Sequence, residues 1–186
     1  MKLDFSFNST RGRALAGLLL LGAGGAQAEL LLSEAAALAR AFPAETAVRR
    51  TLYLKPDEVE AVERSARSKL PSAIVTLFET HRDGQLTGRG MLDTHVVRTM
   101  PETVLTVVEP SGRLRLALVL QFGEPPDYLP RERWLETLRG RPLDDELLPG
   151  RAVRRVTGST LTVQALTEAV RRSLALDALL RKGQIR

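Results

Sequence analysis

The sequence contains no cysteine. That absence excludes disulfides, thiolate nucleophiles, Cys-ligated zinc, iron–sulfur clusters and thioether-linked haem together. Its only histidines are His81 and His95, too few for an all-histidine metal site. Redox chemistry on this chain therefore needs a cofactor that requires neither thiolates nor several imidazoles. Aromatic residues are scarce, at 4%, so any ring-binding surface has few candidates. There is no uninterrupted run of about 20 apolar residues, the length that spans a bilayer. There is also no block of five or more Lys and Arg, although the formal charge is +5 and the pI about 10.2. The surplus is not a nucleic-acid footprint. What is present is ordinary for a globular protein: 186 residues, 44% hydrophobic and 26% charged. That is one domain with a substantial core.

Part of the positive charge belongs to the N-terminus. Lys2, Arg11 and Arg13 precede an uncharged stretch from Ala14 to Ala28, which ends Ala26-Gln27-Ala28. A basic start, a short apolar centre and a small-x-small end read as a secretory signal peptide over residues 1–28, cleaved after Ala28. The other reading is an uncleaved anchor, with Leu30-Leu31-Leu32 extending the apolar run. Five glycines from Gly12 to Gly25 argue against a buried helix here. The expected location is extracytoplasmic, periplasmic in a bacterium, with the N-terminal segment as a possible membrane tether. Residues 29–130 carry a net −2 and residues 131–186 a net +5, so the basic surplus lies near the C-terminus.

Residues 29–186 read as a single α+β domain. An Ala-rich helix is expected over Ser33 to Phe42, with Ser33 as its N-cap. Thr51 to Leu54 suggests a brief strand. Pro56, Asp57 and Glu58 open a helix that runs to about Lys69. Strand patterns follow at Ala73 to Thr80, Leu86 to Val97, Val104 to Val108 and Leu114 to Phe122. In the last, Leu114, Leu116, Leu118 and Leu120 alternate against Arg115, Ala117, Val119 and Gln121. A short helix is expected from Arg131 to Leu138. Thr160 to about Lys182 reads as a long amphipathic helix, with Leu166, Val170, Leu174 and Ala178 on one ridge and a Glu168–Arg172 pair. The expected architecture is an antiparallel sheet of four to five strands packed with helices, ending in that long helix.

The junction before the long helix is the most informative segment. Thr157-Gly158-Ser159-Thr160-Leu161-Thr162 sets hydroxyls and a glycine where a helix start leaves backbone N–H groups unpaired, with Arg151, Arg154 and Arg155 just upstream. Such a start suits a phosphate. It also suits a simple cap, with Thr157 or Ser159 closing the helix. No Glu or Gln stands three residues beyond either to complete a capping box.

This run, followed by Ala165, Leu166, Ala169 and Val170, resembles the C-terminal signature of the FMN-binding domain family. That is the family of the periplasmic C subunit of sodium-pumping NADH:quinone reductase and of the G subunit of Rnf electron-transport complexes. Its usual pattern is Asp-x-x-Ser/Thr-Gly-Ala/Ser-Thr. The strand that ends at Phe122 and the following Glu124-Pro125 resemble the family's strand and its Glu-Thr-Pro segment. The resemblance covers roughly residues 70 to 180. It implies an FMN whose phosphate is esterified to Thr160 by a flavin transferase, outside the cytoplasmic membrane. It also implies a role in electron transfer with redox partner proteins or a membrane electron-transfer complex. Arg154 stands at the motif's acidic position, and an arginine there also suits a phosphate held without a covalent bond.

A flavin ring needs an apolar wall and a few hydrogen bonds. Phe122, Tyr128 and Trp134 are three of the six aromatics after residue 28. One of Tyr128 and Trp134 is expected near the ring, with core packing as the other role for Trp134. Alternation along Leu92 to Thr99 puts Asp93 and His95 on one face. His95 is then either a flavin contact or half of a structural Asp–His pair. A Ser159–His95–Asp93 hydrolase lacks a G-x-S-x-G elbow. The candidate cofactor-binding set is Thr157, Gly158, Ser159, Thr160, Thr162, Arg154, Arg155, Glu124, Tyr128, Trp134 and His95. The competing function is a cofactor-free structural or assembly module of a membrane redox complex.

Overall fold

The computed structural model describes residues 28–148, 150–151 and 158–185. The signal-peptide reading, Arg154, Arg155 and Thr157 lie outside the described residues.

The described residues build one six-stranded antiparallel sheet. In chain order the strands are β1 (Glu29–Leu30), β2 (Thr46–Tyr53), β3 (Ile74–Arg82), β4 (Gln85–Val97), β5 (Met100–Val108) and β6 (Leu114–Phe122). Their order across the sheet is β1-β6-β5-β4-β3-β2, so β2 to β6 form a meander and β1 joins the far edge. The strand count is six, not the expected four to five. The additional strand has only two residues, Glu29 opposite Phe122 and Leu30 opposite Gln121. Two residues are too few to show a period, and Leu30 reads in sequence as part of an apolar run. β2 is also longer than expected. Its first half, with Arg49 and Arg50, shows little apolar alternation because it is an exposed edge.

Helices cover both faces. α1 (Glu34–Ala41) starts at Ser33, whose side chain accepts from the Ala36 N–H. α2 (Pro56–Ala66) has Pro56 in its first turn, and the Glu58 carboxylate accepts from the Lys55 N–H. It stops before Lys69 because Arg67 turns left-handed, with φ 54°. Glu63 then accepts from the Leu70 N–H and the Lys69 ammonium. α3 (Glu132–Glu136) is a single short helix, and α4 (Thr160–Arg181) is the long C-terminal one.

α1 covers one face through Ala37, Ala41 and Phe42, which pack on Phe78, Leu105, Leu118 and Leu120. On the other face, α4 and α3 pack on β5 and β6 through Trp134, Leu138, Val163, Leu166 and Val170. α2 and the end of α4 cover β2 to β4 through Leu52, Val62, Leu77, Met91 and Leu176. Leucine alternation in β6 is interrupted. The register slips between Val107 and Val108, opposite Leu116 and Leu114. Leu114 therefore shares a face with Ala117 under α4, and Leu118 and Leu120 face α1. A bulge inserts one residue and reverses the side-chain parity, which alternation in the sequence cannot reveal.

α4 runs in the same direction as β5. The Ser173 hydroxyl lies 3.0 Å from that of Thr106, and Arg181 packs against Gly112, beyond the end of β5. At ~1.5 Å per residue, Thr160 lies about 20 Å back along the helix from Ser173. The start of α4 thus lies toward the β4–β5 turn, and its end toward the β5–β6 turn.

Candidate functional site

Gly158, Ser159 and Thr160 form the described part of the junction. Gly158 is left-handed, with φ +85°. A Cβ built there would meet nothing within 4 Å, so its space is open. Ser159 is the N-cap residue of α4, but its side chain makes no capping hydrogen bond. Its carbonyl accepts from the Val163 N–H at 2.9 Å. Thr160 is the first residue of the helix and is exposed, whereas Ser159 and Thr162 are buried. No acidic residue occupies the first turn. Among the described residues, nothing accepts from the N–H groups of Thr160, Leu161 or Thr162. These donors and the positive end of the helix dipole fit an anion such as a phosphate monoester.

The remaining candidates are already engaged. Glu124 accepts from the N–H groups of Thr99 and Met100, at 3.2 and 3.3 Å, and so closes the β4–β5 turn. Arg98 in that turn is left-handed, with φ 52°. Its guanidinium lies 4.6 Å from the centre of the Tyr128 ring, a cation–π distance. Trp134 is buried in the core between α3 and α4. That is the core role allowed for it in the sequence. Tyr128 and Glu124 meet at the β4–β5 turn, and α4 begins toward the same end of the molecule.

His95 belongs to a buried polar cluster. Its Nδ1 lies 2.8 Å from Asp93 Oδ1 and its Nε2 lies 3.0 Å from Glu102 Oε2. Arg172 of α4 forks onto Asp93, with bonds of 2.7 and 2.8 Å, and donates to the Ser68 hydroxyl at 2.9 Å. The Glu168–Arg172 pair is present at 3.9 Å but is the weaker of Arg172's ion pairs. Burial works against a charge on His95, yet the two flanking carboxylates outweigh it and raise its pKa to about 9. Burial also opposes ionisation of Asp93, but hydrogen bonds from His95 and Arg172 hold its pKa below the usual value. Glu102 has only His95 to offset its burial, so its pKa is raised. Its second oxygen, Oε1, is buried without a partner among the described residues.

Glu102 and Arg172 complete this cluster, and neither is among the candidates read from sequence. A signal existed for Glu102. It precedes Val104, Thr106 and Val108 at two-residue spacing, so a carboxylate continues the buried face of a central strand.

A cleft of about 200 Å³ opens beside the cluster, with Leu70, Ser72, Thr94, Asp93 and Arg172 in its walls. It lies where β3 parts from β4, beyond the Thr76–Leu92 pair. Arg172 stands twelve residues after Thr160, about 18 Å along the helix. The cleft and the helix start are therefore separate features.

No protein-family model, curated protein or solved structure matches this chain.

Proposed function

We propose that the chain is an extracytoplasmic FMN-binding electron-transfer protein that holds the FMN phosphate at Thr160. The observation that carries this reading is the start of α4. An exposed threonine hydroxyl stands there beside an open left-handed glycine, with first-turn N–H groups that have no acceptor among the described residues. Those residues fit a phosphate on chemical grounds, and the resemblance of Thr157 to Thr162 to the FMN-binding signature supports the choice of ligand.

In this reading the Thr160 oxygen forms the ester to the phosphate, installed by a flavin transferase. The first-turn N–H groups donate to the remaining phosphate oxygens. Gly158 leaves room for the phosphate because it carries no Cβ. Arg154 and Arg155 supply compensating positive charge. Tyr128, stacked under Arg98 at the β4–β5 turn, is the candidate for a ring contact. When bound, FMN supplies exchange of one or two electrons with redox partner proteins or a membrane complex. The N-terminal 28 residues serve as export signal or anchor. Among the described residues no helix is long and apolar enough to cross a membrane.

The test is intact mass after expression with the signal sequence and a flavin transferase. A covalent FMN adds one flavin phosphoester to the polypeptide, and yellow colour stays with the acid-denatured chain. Both should vanish in Thr160→Ala. Colour released by acid would mean FMN held without a covalent bond.

One observation favours a second reading, a cofactor-free assembly module. His95, Glu124 and Trp134 all have structural partners without any ligand. A colourless protein, with the bare polypeptide mass in the presence of FMN and transferase, would overturn the first reading and leave this one standing.

A further inference from the structure

His95 is enclosed by acceptors on both sides. A neutral imidazole has one N–H and can donate in only one direction. The observed geometry offers Asp93 at Nδ1 and Glu102 at Nε2, both within hydrogen-bond distance. With both carboxylates ionised, only the doubly protonated ring satisfies both. With Asp93 and Glu102 ionised and His95 and Arg172 protonated, the four buried groups carry no net charge. Loss of the His95 proton leaves one excess negative charge and removes one of the two hydrogen bonds.

The two carboxylates do not bear that loss equally. Asp93 keeps its fork from Arg172. Among the described residues Glu102 has no other partner: Oε1 is orphaned and the side chain is fully buried. An unpaired buried carboxylate is strongly unfavourable. The proton must therefore stay on the Glu102–His95 bond, or the packing over Glu102 must open. The charged and titratable groups around the ring come from each neighbouring element. They are Asp93 on β4, Glu102 on β5, and Arg172 with Glu168 on α4. Arg172 Nη2 approaches His95 Nδ1 to 3.5 Å, so α4 senses the ring directly. Asp93 and Arg172 also line the cleft at the parting of β3 and β4, which gives the cluster a route to solvent.

We propose that Asp93, His95 and Glu102 form a buried proton-binding site that exchanges through this cleft and bonds Glu102 of β5 to His95 of β4 only while the proton is held. The inference stands on these residues alone and is independent of any flavin.

The sign of the effect follows from linkage. His95 binds its proton more tightly when folded, with a pKa raised from 6.5 to about 9. Its contribution is complete below pH 6.5 and is lost as pH rises through 9. Across that window the folded chain holds a proton that the unfolded chain has released. The unfolding constant should then rise about tenfold per pH unit and level off above 9.

The experiment has two arms. The first follows the His95 ring nitrogens by ¹⁵N NMR from pH 5 to 10 in the folded, full-length protein. Both nitrogens should be protonated at pH 7. Glu102→Gln, which removes the weaker carboxylate and keeps its shape, should lower the His95 titration by a pH unit or more. The second arm measures urea unfolding over the same range in wild type and His95→Gln. The steep rise should be absent in the variant. A neutral His95 at pH 7 would overturn the proposal. So would a titration unmoved by Glu102→Gln, or parallel unfolding profiles. Should His95→Gln fail to fold, Glu102→Gln carries the second arm and should show a shallower rise than wild type.

Discussion

Replacing Arg172 with methionine tests whether the polar cluster holds α4 on the sheet. Arg172 is 5% exposed and Asp93 8% exposed, and two bonds of 2.7 and 2.8 Å join them. Methionine retains much of the apolar stem, so packing on α4 is largely preserved. The main loss is the guanidinium. Asp93 then keeps only His95, and the Ser68 hydroxyl loses its donor. Breaking a buried pair by removing one partner costs about 3–5 kcal/mol, far more than the ~0–1 kcal/mol of an exposed pair. For a chain of this size that is a fall of roughly 10 °C in Tm. Urea unfolding at pH 7, read by Trp134 fluorescence and far-ultraviolet circular dichroism, measures it. Asp93→Leu combined with Arg172→Met should recover part of the loss, because no charge is then left unpaired. A loss below about 1 kcal/mol in Arg172→Met, the range of a surface pair, would refute the reasoning.

Three further substitutions test separate parts of the structure. Gly123→Ala would place a Cβ 2.7 Å from Met100 Cβ and 3.0 Å from the Pro101 carbonyl. It should cost about 1–3 kcal/mol by overpacking, and an unchanged melting curve would contradict that. Ser33→Ala removes the cap that accepts from the Ala36 N–H at 3.2 Å. It should cost about 1 kcal/mol, with faster amide exchange confined to α1. Thr160→Ala changes an exposed side chain and should move stability by no more than ~0.5 kcal/mol. A larger loss in thermal melts would mean that Thr160 serves the fold as well as the proposed phosphate.

Legibility in the sequence follows the length and regularity of each element. α4 runs from Thr160 to Arg181, one residue short of the expected end, because its apolar ridge persists over many turns. β6 spans the expected Leu114 to Phe122, but the facing of its leucines is altered by a bulge. α1 follows from Ser33 because a cap is a local signal that needs no tertiary context. β1 is hidden because two residues carry no period. At the site, the Asp93–His95 pair follows from two-residue spacing within one strand. Glu102 and Arg172 come from another strand and from a helix 79 residues beyond Asp93. No local pattern joins those positions; the packing of α4 across β4 and β5 does.

That packing also changes the meaning of the basic C-terminal segment. The net +5 of residues 131–186 suggests, as a sum, a positive face beside the Thr160 motif. Two of those charges, Arg171 and Arg172, are buried instead, and the exposed Arg181 is paired. Arg171 donates to the Ala66 and Asp144 carbonyls, and Arg172 forks onto Asp93. Arg181 bonds Asp177, which in turn accepts from Arg89. Arg171 and Arg172 satisfy acceptors from within the core, and Arg181 is engaged by a carboxylate. In sequence, Arg151, Arg154 and Arg155 stand just before the helix start, where among the described residues nothing accepts from the first-turn N–H groups. A docking face for an acidic partner must therefore be sought in the residues around Thr160 and not along the length of α4. Neutralising Arg154 and Arg155 together should weaken phosphate retention, whereas changing Arg171 or Arg172 should act on stability.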